Sequence, residues 1–374
     1  MPAVELTPDP TDPSKGNITV DGTHVTSINI THSGGVNIEL PKFDAGYTQE
    51  SVFVTRTNSF AEATTDSGLS VADGKLWASY PNKPDIVIPI CEGVPSSPSP
   101  GAPPLYGQDA YLYDLAYAIK NRMNVMVTGP TGCGKTASFQ YLAALLNCNL
   151  VTVSITPGTD EDSIIGSYMP AAHPETGAPT VQYIDQAVTQ AARLSHEMFT
   201  ILQVEEMNRA GNVNIFASLM TLLDGSGFIQ LPTGERVHRG DLMVVATCNP
   251  ADEYVGTNEL DPALESRFPW APSIDYPDPA DEFAAISNRV PELGDEHLRQ
   301  MSEVVKRVRG AGEISHPIGF RPVEAWAKAL ASGSFTWREA ATRSFINKFP
   351  ADERKAVENI ITMFTPVSER EESN

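Results

Sequence analysis

Two short stretches of the sequence carry the residue types that phosphate and metal chemistry requires. The first, GPTGCGKT, runs from Gly129 to Thr136 and fits the pattern G-x-x-x-x-G-K-[ST]. It lies between the apolar run VMVT and a segment with helical periodicity, so it predicts a glycine-rich turn that joins a buried strand to a helix. The backbone N–H groups of such a turn, together with the helix N-terminus, surround phosphate oxygens.

The residues of this stretch are the predicted binding residues for the phosphates of a nucleotide and for Mg²⁺. The Lys135 ammonium supplies positive charge to the outer phosphates, and the Thr136 hydroxyl is a predicted ligand of Mg²⁺. The predicted cradle comprises Gly129, Pro130, Thr131, Gly132, Cys133, Gly134, Lys135 and Thr136.

The second stretch, ILQVEEMNRA, is an apolar run that ends in two adjacent carboxylates. In a P-loop sheet the acidic end of the third strand faces the metal of the nucleotide. We therefore expect Glu205 to hold Mg²⁺ through water, and Glu206 to orient and deprotonate the attacking water. Asp is the usual residue at the first of these positions, and Glu205 is one methylene longer.

The segments around these motifs alternate between helical and strand patterns. An amphipathic helix is predicted from Asp109, since Leu112, Leu115, Ala116 and Ile119 fall on one helical face. Further elements are predicted at 125–129, 136–147, 149–155, 201–204 and 242–248. This alternation predicts an α/β fold with a mostly parallel sheet covered by helices on both faces, and it places ligands at the carboxyl ends of the strands.

Composition divides the chain into five predicted segments. Residues 1–92 contain short alternating runs, among them 36–40, 52–55, 75–80 and 85–90, and predict a small all-β domain. Residues 93–105, GVPSSPSPGAPPL, predict a linker because they are rich in proline and serine. The predicted nucleotide-binding domain spans 106–278, a domain of helices only spans 279–366, and 367–374 is a polar tail.

Composition and net charge also restrict which partners and which cell compartment are expected. The chain has 374 residues, 41% of them hydrophobic, and its net charge of −21 repels nucleic-acid phosphates. We expect a cytoplasmic protein without a membrane span, since no apolar run approaches roughly 18 residues and the first residues lack signal-peptide features. The four cysteines form no CxxC pair, which predicts free thiols.

These motifs, in this order, resemble those of the AAA+ ATPases, in the branch that includes the MoxR-like proteins, the cobaltochelatase small subunit and the dynein-related domains. The resemblance covers roughly residues 106–335 and rests on GPTGCGKT, VEEMNRA, VVATCNP, LDPALESRF and GFRPVEAW. It implies an AAA+ P-loop domain followed by an all-helical lid, and an ATPase that couples hydrolysis to conformational work.

The resemblance implies roles for three further residues. Asn249 would be the polar sensor that holds the attacking water near the γ-phosphate. Arg267 would be the arginine finger supplied to the ATP of a neighbouring subunit, and Arg321 the sensor-2 arginine of the lid, acting in its own subunit or a neighbour's. A finger supplied by a neighbour implies a homo-oligomeric ring, and the expected ring is a hexamer.

The expected function is therefore an ATP-hydrolysing ring that remodels or activates a protein partner, which in this branch commonly carries a von Willebrand factor A domain. Segments 166–184 and 228–241 resemble hairpins that act on a substrate. Two alternatives keep the nucleotide site, namely a motor acting on nucleic acid, which the negative charge disfavours, and a nucleotide-gated scaffold with slow hydrolysis. A further alternative is a small-molecule kinase, which would need neither the arginine finger nor the lid sensor.

Overall fold

The computed structural model describes residues 4–9, 12–20, 23–29, 68–172, 179–224, 227–250, 258–314, 316 and 318–366. The contacts divide the chain into two units, Met1–Ala61 and Glu62–Asn374. In the first unit β1 (Val4–Asp9), β2 (Asp12–Val20) and β3 (Thr23–Asn29) form an antiparallel sheet in the order β1-β2-β3. The predicted strand runs at 36–40 and 52–55 and the polar tail at 367–374 lie outside the described residues.

A second antiparallel sheet opens the larger unit, with strands β4 (Leu69–Ala72), β5 (Lys75–Ala78) and β6 (Ile86–Pro89). Its inward residues Leu76 and Ile88 share one apolar core with helix α1 (Asp109–Lys120). The boundary between the two units therefore lies before Glu62 and not at the predicted residue 92, because the apolar face of this sheet is buried against the nucleotide-binding domain.

The proline-rich segment at 93–105 forms no helix or strand of its own, but it is fixed to the sheet of the nucleotide-binding domain. The Ser97 N–H donates to Asn149 Oδ1 at 2.9 Å, and the Leu150 N–H donates to the Ser97 carbonyl at 2.8 Å. Pro98 forms an isolated bridge with Asn149. The predicted linker thus binds along the edge of the sheet for part of its length.

The nucleotide-binding domain alternates strands and helices as predicted. Its elements are β7 (Val125–Thr128), α2 (Lys135–Leu146), β8 (Asn149–Ser154), α3 (Glu161–Ile165), β9 (Gly166–Ala172), β10 (Pro179–Asp185), α4 (Ala187–Leu194), β11 (Thr200–Glu205), 3-10 turns at Met207–Arg209 and Val213–Phe216, α5 (Ala217–Leu223), β12 (Phe228–Gln230), β13 (Arg236–His238), β14 (Leu242–Cys248) and α6 (Pro262–Glu265).

Four of these strands form a parallel sheet in the order β7-β14-β11-β8. Successive residues of a strand face opposite sides. Ile201 accordingly joins the core shared with α1 and α2, whereas Leu202 and Val204 join a second core with α4 and α5 on the other face. The predicted parallel sheet with helices on both faces is confirmed.

Both predicted hairpins are present in the described residues. β9 pairs antiparallel with β10, and β12 pairs antiparallel with β13. Arg193, on α4, connects them, since its Nε lies 2.6 Å from Asp185 Oδ2 and its Nη1 lies 2.8 Å from Glu235 Oε1. In the described part of the chain, every helix is too short or too polar to traverse a lipid bilayer.

The described residues after 278 are helical, which confirms the predicted lid. The helices are α7 (Pro279–Arg289), α8 (Asp295–Gly310), α9 (Phe320–Ala331), α10 (Trp337–Ser344) and α11 (Ala351–Met363), with a 3-10 turn at Ile346–Lys348. The lid has its own apolar core, in which the rings of Trp326 and Trp337 have centroids 4.4 Å apart.

Candidate nucleotide-binding site

The order of the parallel strands brings the predicted site residues together. The glycine-rich loop follows β7, Asn249 follows β14, and Glu206 follows β11. All three therefore lie at the edge of the sheet that is formed by the carboxyl ends of its parallel strands. One pocket at this edge is lined by Pro104, Leu105, Tyr106, Gln108, Thr131, Gly132, Cys133, Gly134, Lys135, Thr136, Ala137, Glu206, Thr247, Asn249, Pro277, Ala285, Arg289, Phe320 and Arg321. The strand order thus assembles residues that are more than a hundred positions apart.

The loop from Gly129 to Thr136 has the geometry of a phosphate cradle. Gly132 and Gly134 have φ values of 82° and 111°, a left-handed region that residues with a Cβ rarely adopt. Gly134 is the N-cap of α2 and no side chain caps this helix, so its first N–H groups are available to a ligand. A Cβ on Gly129 would lie 2.2 Å from the Ile274 carbonyl oxygen, which explains a third glycine in the loop.

The Lys135 ammonium is buried at the centre of the pocket. Its Nζ donates to the Gly129 carbonyl at 2.5 Å, the Pro130 carbonyl at 2.8 Å and Asn249 Oδ1 at 3.0 Å. The hydrogen-bond partners of the ammonium among the described residues are thus neutral oxygens, and Lys135 is 8% exposed. Burial lowers the pKa of Lys135, an effect that Cys133 and Glu206 oppose. A charge held in this way favours an anionic ligand.

Asn249 lies between the two halves of the site because β14 lies between β7 and β11. Its backbone N–H donates to Asn208 Oδ1 at 3.3 Å, and Asn208 Nδ2 donates to the Asn249 carbonyl at 2.7 Å. With Oδ1 accepting from Lys135, the amide orientation is fixed. Asn249 Nδ2 is buried and has no hydrogen-bond partner among the described residues, so it is a donor available to a ligand of the pocket.

Glu206 lines the pocket, and its backbone is in the left-handed region with φ 54°. The Glu206 N–H donates to Thr247 Oγ1 at 3.1 Å, which fixes the turn after β11. The carboxylate is paired with Arg209, whose Nε lies 3.0 Å from Glu206 Oε2. Arg209 therefore contacts the predicted general base, a contact that the sequence motif does not reveal.

Glu205 has a different environment from its neighbour. Its Oε2 accepts from Ser154 Oγ at 2.8 Å and its Oε1 accepts from Gln203 Nε2 at 3.4 Å, so both oxygens are directed to side chains of the sheet. The described residues that line the pocket include Thr136 and Glu206 but not Glu205. The two adjacent carboxylates thus occupy separate positions, and a metal role for Glu205 would have to act through water or Ser154.

The two predicted arginines lie in different places. Arg321, the second residue of α9, is exposed and lines the pocket from the lid of the same chain. Arg267 is not among the described residues that line the pocket, and its guanidinium is paired with Asp224 through contacts of 2.7 Å and 3.1 Å. Its Nη1 also donates to the Ala263 carbonyl. Arg321 therefore reaches its own nucleotide pocket, whereas Arg267 is held away from it.

Several residues that line the pocket belong to none of the sequence motifs. Arg289, the last residue of α7, donates from Nη1 to Glu324 Oε2 at 3.0 Å and lies 4.7 Å from the Phe320 ring centroid. Tyr106 and Gln108, in the segment before α1, also line the pocket. Helical periodicity predicts the elements that carry these residues, but not which residues face the pocket.

The thiols beside the pocket are buried. Burial raises the pKa of Cys133, and it raises the pKa of Cys248 to about 11. Both thiols are therefore protonated at neutral pH and unreactive as nucleophiles. Cys91 and Cys148 are also free thiols, as predicted.

The donor set fits ATP with Mg²⁺. The glycine turns and the open N-terminus of α2 offer N–H groups to phosphates, and the buried Lys135 offers a charge. The buried Asn249 Nδ2 offers a further donor, and Thr136, which lines the pocket, would hold the metal through its hydroxyl.

The central part of the chain is similar in sequence to known proteins. Residues 124–268 match the family model of the AAA domain (dynein-related subfamily). YojN of Bacillus subtilis is 28% identical over 162 residues, which are 43% of this chain and 50% of YojN. BssE of Thauera aromatica, which carries a provisional chaperone name, is 25% identical over 258 residues, covering 66% of this chain and 84% of BssE. The chain thus spans about half the length of YojN.

Among solved structures, a point mutant of RuvB from Thermotoga maritima matches with a TM-score of 0.41 and 15% identity, covering 64% of this chain and 69% of that one. The family match includes the glycine-rich loop, both glutamates, Asn249 and Arg267. Residues 124–268 are therefore similar to the AAA domain of the dynein-related subfamily, in line with the resemblance of the motifs to the AAA+ ATPases.

Proposed function

We propose that this chain binds ATP with Mg²⁺ in the described pocket and hydrolyses it as one subunit of a homo-oligomeric ring, a hexamer. The observation that carries the proposal is the buried Lys135 ammonium, which contacts neutral oxygens in a pocket that Glu206, Asn249 and Arg321 also line. A buried cation with neutral neighbours gains most from an anion, and the glycine-rich turn is shaped for phosphates.

Each residue of the pocket has a role that follows from its position. Bound ATP and its metal supply the transferable phosphoryl group and a divalent charge. Lys135 binds the outer phosphates, the open donor of Asn249 Nδ2 orients water beside them, and the Glu206 carboxylate accepts a proton from that water. Arg209 lies beside the Glu206 carboxylate as an ion-pair partner, with Nε 3.0 Å from Oε2, and stabilises its charged form.

Arg267 is the proposed finger for the nucleotide of a neighbouring subunit. Its position outside the pocket of its own chain supports this role, and the Arg267 guanidinium would exchange its contact with Asp224 for the phosphate of the neighbour. A head-to-tail interface that repeats this contact forms a ring when the rotation between neighbouring subunits closes. Arg321 acts in its own subunit, since it lines that pocket from the lid.

The proposed client is a protein, and a partner with a von Willebrand factor A domain is the expected adaptor. Support comes from the first hairpin, where Tyr168, Met169 and Val181 are 54%, 44% and 64% exposed. Exposed apolar side chains of this size favour contact with protein surfaces. The chaperone name given to BssE is in line with this proposal, and the net charge of −21 disfavours nucleic acid as the client.

A subunit-mixing experiment tests the proposal. Glu206→Gln should lower the turnover of ATP by about 100-fold or more while ATP binding is retained, because only the base is removed. Arg267→Ala should lower turnover to a similar degree, since the finger is missing from every pocket. An equal mixture of the two variants, allowed to exchange subunits, should recover turnover at about a quarter of the sites, where an intact base meets an intact finger.

Phosphate release and sedimentation, measured in the presence of ATP, give the readouts. Recovery in the mixture with ring-sized particles is the expected result. Turnover that stays at the level of the separate variants would exclude Arg267 as a finger in trans. Equally slow turnover in the wild type and in Glu206→Gln would favour the nucleotide-gated scaffold instead.

A further inference from the structure

The carbonyl oxygen of Thr131, at the tip of the P-loop, is in contact with residues outside the loop. Tyr276, between the sheet and the lid, donates its hydroxyl to this oxygen at 2.9 Å. Gly319, directly before α9, packs against the same oxygen so closely that a Cβ on Gly319 would lie 2.8 Å from it. The tip of the loop is thus held by two groups that are distant from it in sequence.

These contacts fix the orientation of one peptide group of the cradle. No peptide bond in the described residues is cis, so the Thr131 carbonyl and the Gly132 N–H point in opposite directions across a planar unit. A carbonyl held toward Tyr276 directs the Gly132 N–H to the other side, and Gly132 lines the pocket. The N–H groups of this loop are the donors that bind the α- and β-phosphates.

One arginine of the lid supports both contacts. The Arg309 guanidinium lies 4.0 Å from the Tyr276 ring centroid. The same guanidinium donates to the Ile318 carbonyl, adjacent to Gly319, at 3.0 Å and 2.9 Å. It also forms a bidentate pair with Glu282, at 2.7 Å and 3.0 Å, and Glu282 is only 2% exposed. Buried bidentate pairs have a fixed geometry, so the supporting group is rigid.

We propose that Tyr276 is a positioning residue for the phosphate cradle, and that Arg309 holds Tyr276 and Gly319 against the Thr131 carbonyl. The lid is thereby coupled to the orientation of the Gly132 N–H. This proposal rests on the proposed binding of ATP and adds to it a residue that touches the loop and not the nucleotide.

The first test removes a single oxygen atom. Tyr276→Phe should raise the Kd for ATP and for ADP about five-fold, because the hydrogen bond that orients the peptide is lost. The KM for ATP should rise by the same factor while kcat stays within about two-fold, since the Gly132 N–H binds phosphate in both the ground state and the transition state. The Tm without nucleotide should remain within about 2 °C of the wild type, since the net worth of one exposed hydrogen bond is small.

The matched control is Tyr117→Phe, which removes the hydroxyl of a tyrosine that is 41% exposed on α1. It should leave the Kd, the KM and the Tm unchanged. The measurements use the full chain, with a fluorescent ATP analogue for binding and phosphate release for turnover.

The second test adds an atom on the other side of the Thr131 carbonyl. Gly319 has φ −83° and ψ 175°, a conformation that alanine tolerates, so the backbone is not strained and Gly319→Ala acts mainly through its close contact. It should raise the Kd for ATP about ten-fold, since the loop tip or the lid must shift. Gly310→Ala is the control in the same lid, because a Cβ there meets nothing within 4 Å.

Three outcomes are distinguishable. The expected result is weaker nucleotide binding by both test variants, with an unchanged Tm for Tyr276→Phe and normal binding by both controls. A Kd within two-fold of the wild type for Tyr276→Phe and Gly319→Ala would overturn the positioning role, and so would a loss of affinity in Tyr276→Phe that merely follows a lower Tm. A wild-type chain that binds no ATP would refute the proposed function itself.

Discussion

The cationic side chains of the nucleotide pocket and of the paired hairpins have opposite environments. In the pocket, the buried Lys135 ammonium has neutral oxygens as its described partners. At the hairpins, Arg193 is 42% exposed and is paired with Asp185 and with Glu235. The first arrangement holds a charge that a ligand must satisfy, whereas the second is already satisfied and solvated.

The pKa values of the two cations express the same difference. Burial lowers the pKa of Lys135, because the charged form loses its hydration. Hydrogen bonds to Glu235 and Asp185 raise the pKa of Arg193, and the Arg193 guanidinium lowers the pKa of Glu235 in return. The buried charge of Lys135 therefore carries a desolvation cost that an anionic ligand would offset, whereas the exposed hairpin pairs are complete within the chain.

Replacing the buried cation should give the largest effect. Lys135→Met should raise the Kd for ATP by about 100-fold or more, because charge-assisted contacts with phosphate are lost. Without nucleotide, its Tm should stay within about 3 °C of the wild type, because the desolvation cost of the buried charge is removed while three oxygen acceptors lose their donor. Calorimetric titration and thermal unfolding check the two expectations.

Lys120→Met is the control for this pair of measurements, since Lys120 is exposed at the end of α1. It should change neither the affinity nor the Tm. If Lys135→Met bound ATP as tightly as the wild type, the buried ammonium would not be the group that binds the phosphates.

Substitution of Glu205 should have a smaller effect on turnover than substitution of its neighbour Glu206. Glu205→Gln should raise the Mg²⁺ concentration needed for half-maximal turnover about ten-fold, the size typical of a residue that supports a metal site from outside. The reason is that Glu205 contacts Ser154 and Gln203, whereas Glu206 lines the pocket. Phosphate release over a magnesium titration gives the result. A loss of turnover as large as that of Glu206→Gln would place Glu205 on the metal directly.

The hairpin connection should give the smallest effect. Arg193→Ala should lower the Tm by about 2 °C or less, because exposed ion pairs contribute little to stability. Basal ATP turnover should stay within about two-fold of the wild type, since Arg193 is not among the described residues that line the pocket. Thermal unfolding and phosphate release test both, with the exposed lid residue Arg307→Ala as a control. A fall in Tm of more than about 5 °C would show that this exposed network is as costly to break as a buried one.

Most elements of the nucleotide-binding domain could be predicted, because period and turn residues are local properties of the chain. The strand at 242–248, the helix after the glycine-rich loop and both hairpins agree with the structure. The domain boundary at residue 92 could not be predicted in this way. Short alternating strands look alike whichever core they join, and β4–β6 join the core of the larger unit.

The site divides along the same line. The loop, Glu206 and Asn249 were predicted from motifs, and the structure brings them to one pocket. The contacts of Arg209, Arg289 and Tyr276 were not predicted, because each depends on a turn or on packing against the lid. The separate environments of Glu205 and Glu206 also required the structure, since adjacent residues of a strand end can face different partners.

The sequence by itself determined which groups could bind a phosphate and where the backbone had to turn, since glycine spacing and side-chain chemistry are set residue by residue. Only the tertiary structure decided which groups meet. The order β7-β14-β11-β8 places Asn249 against Lys135, 114 positions away, and the lid places Tyr276 on Thr131, 145 positions away. Contacts of that range follow from the packing of sheet and lid, which no local pattern specifies.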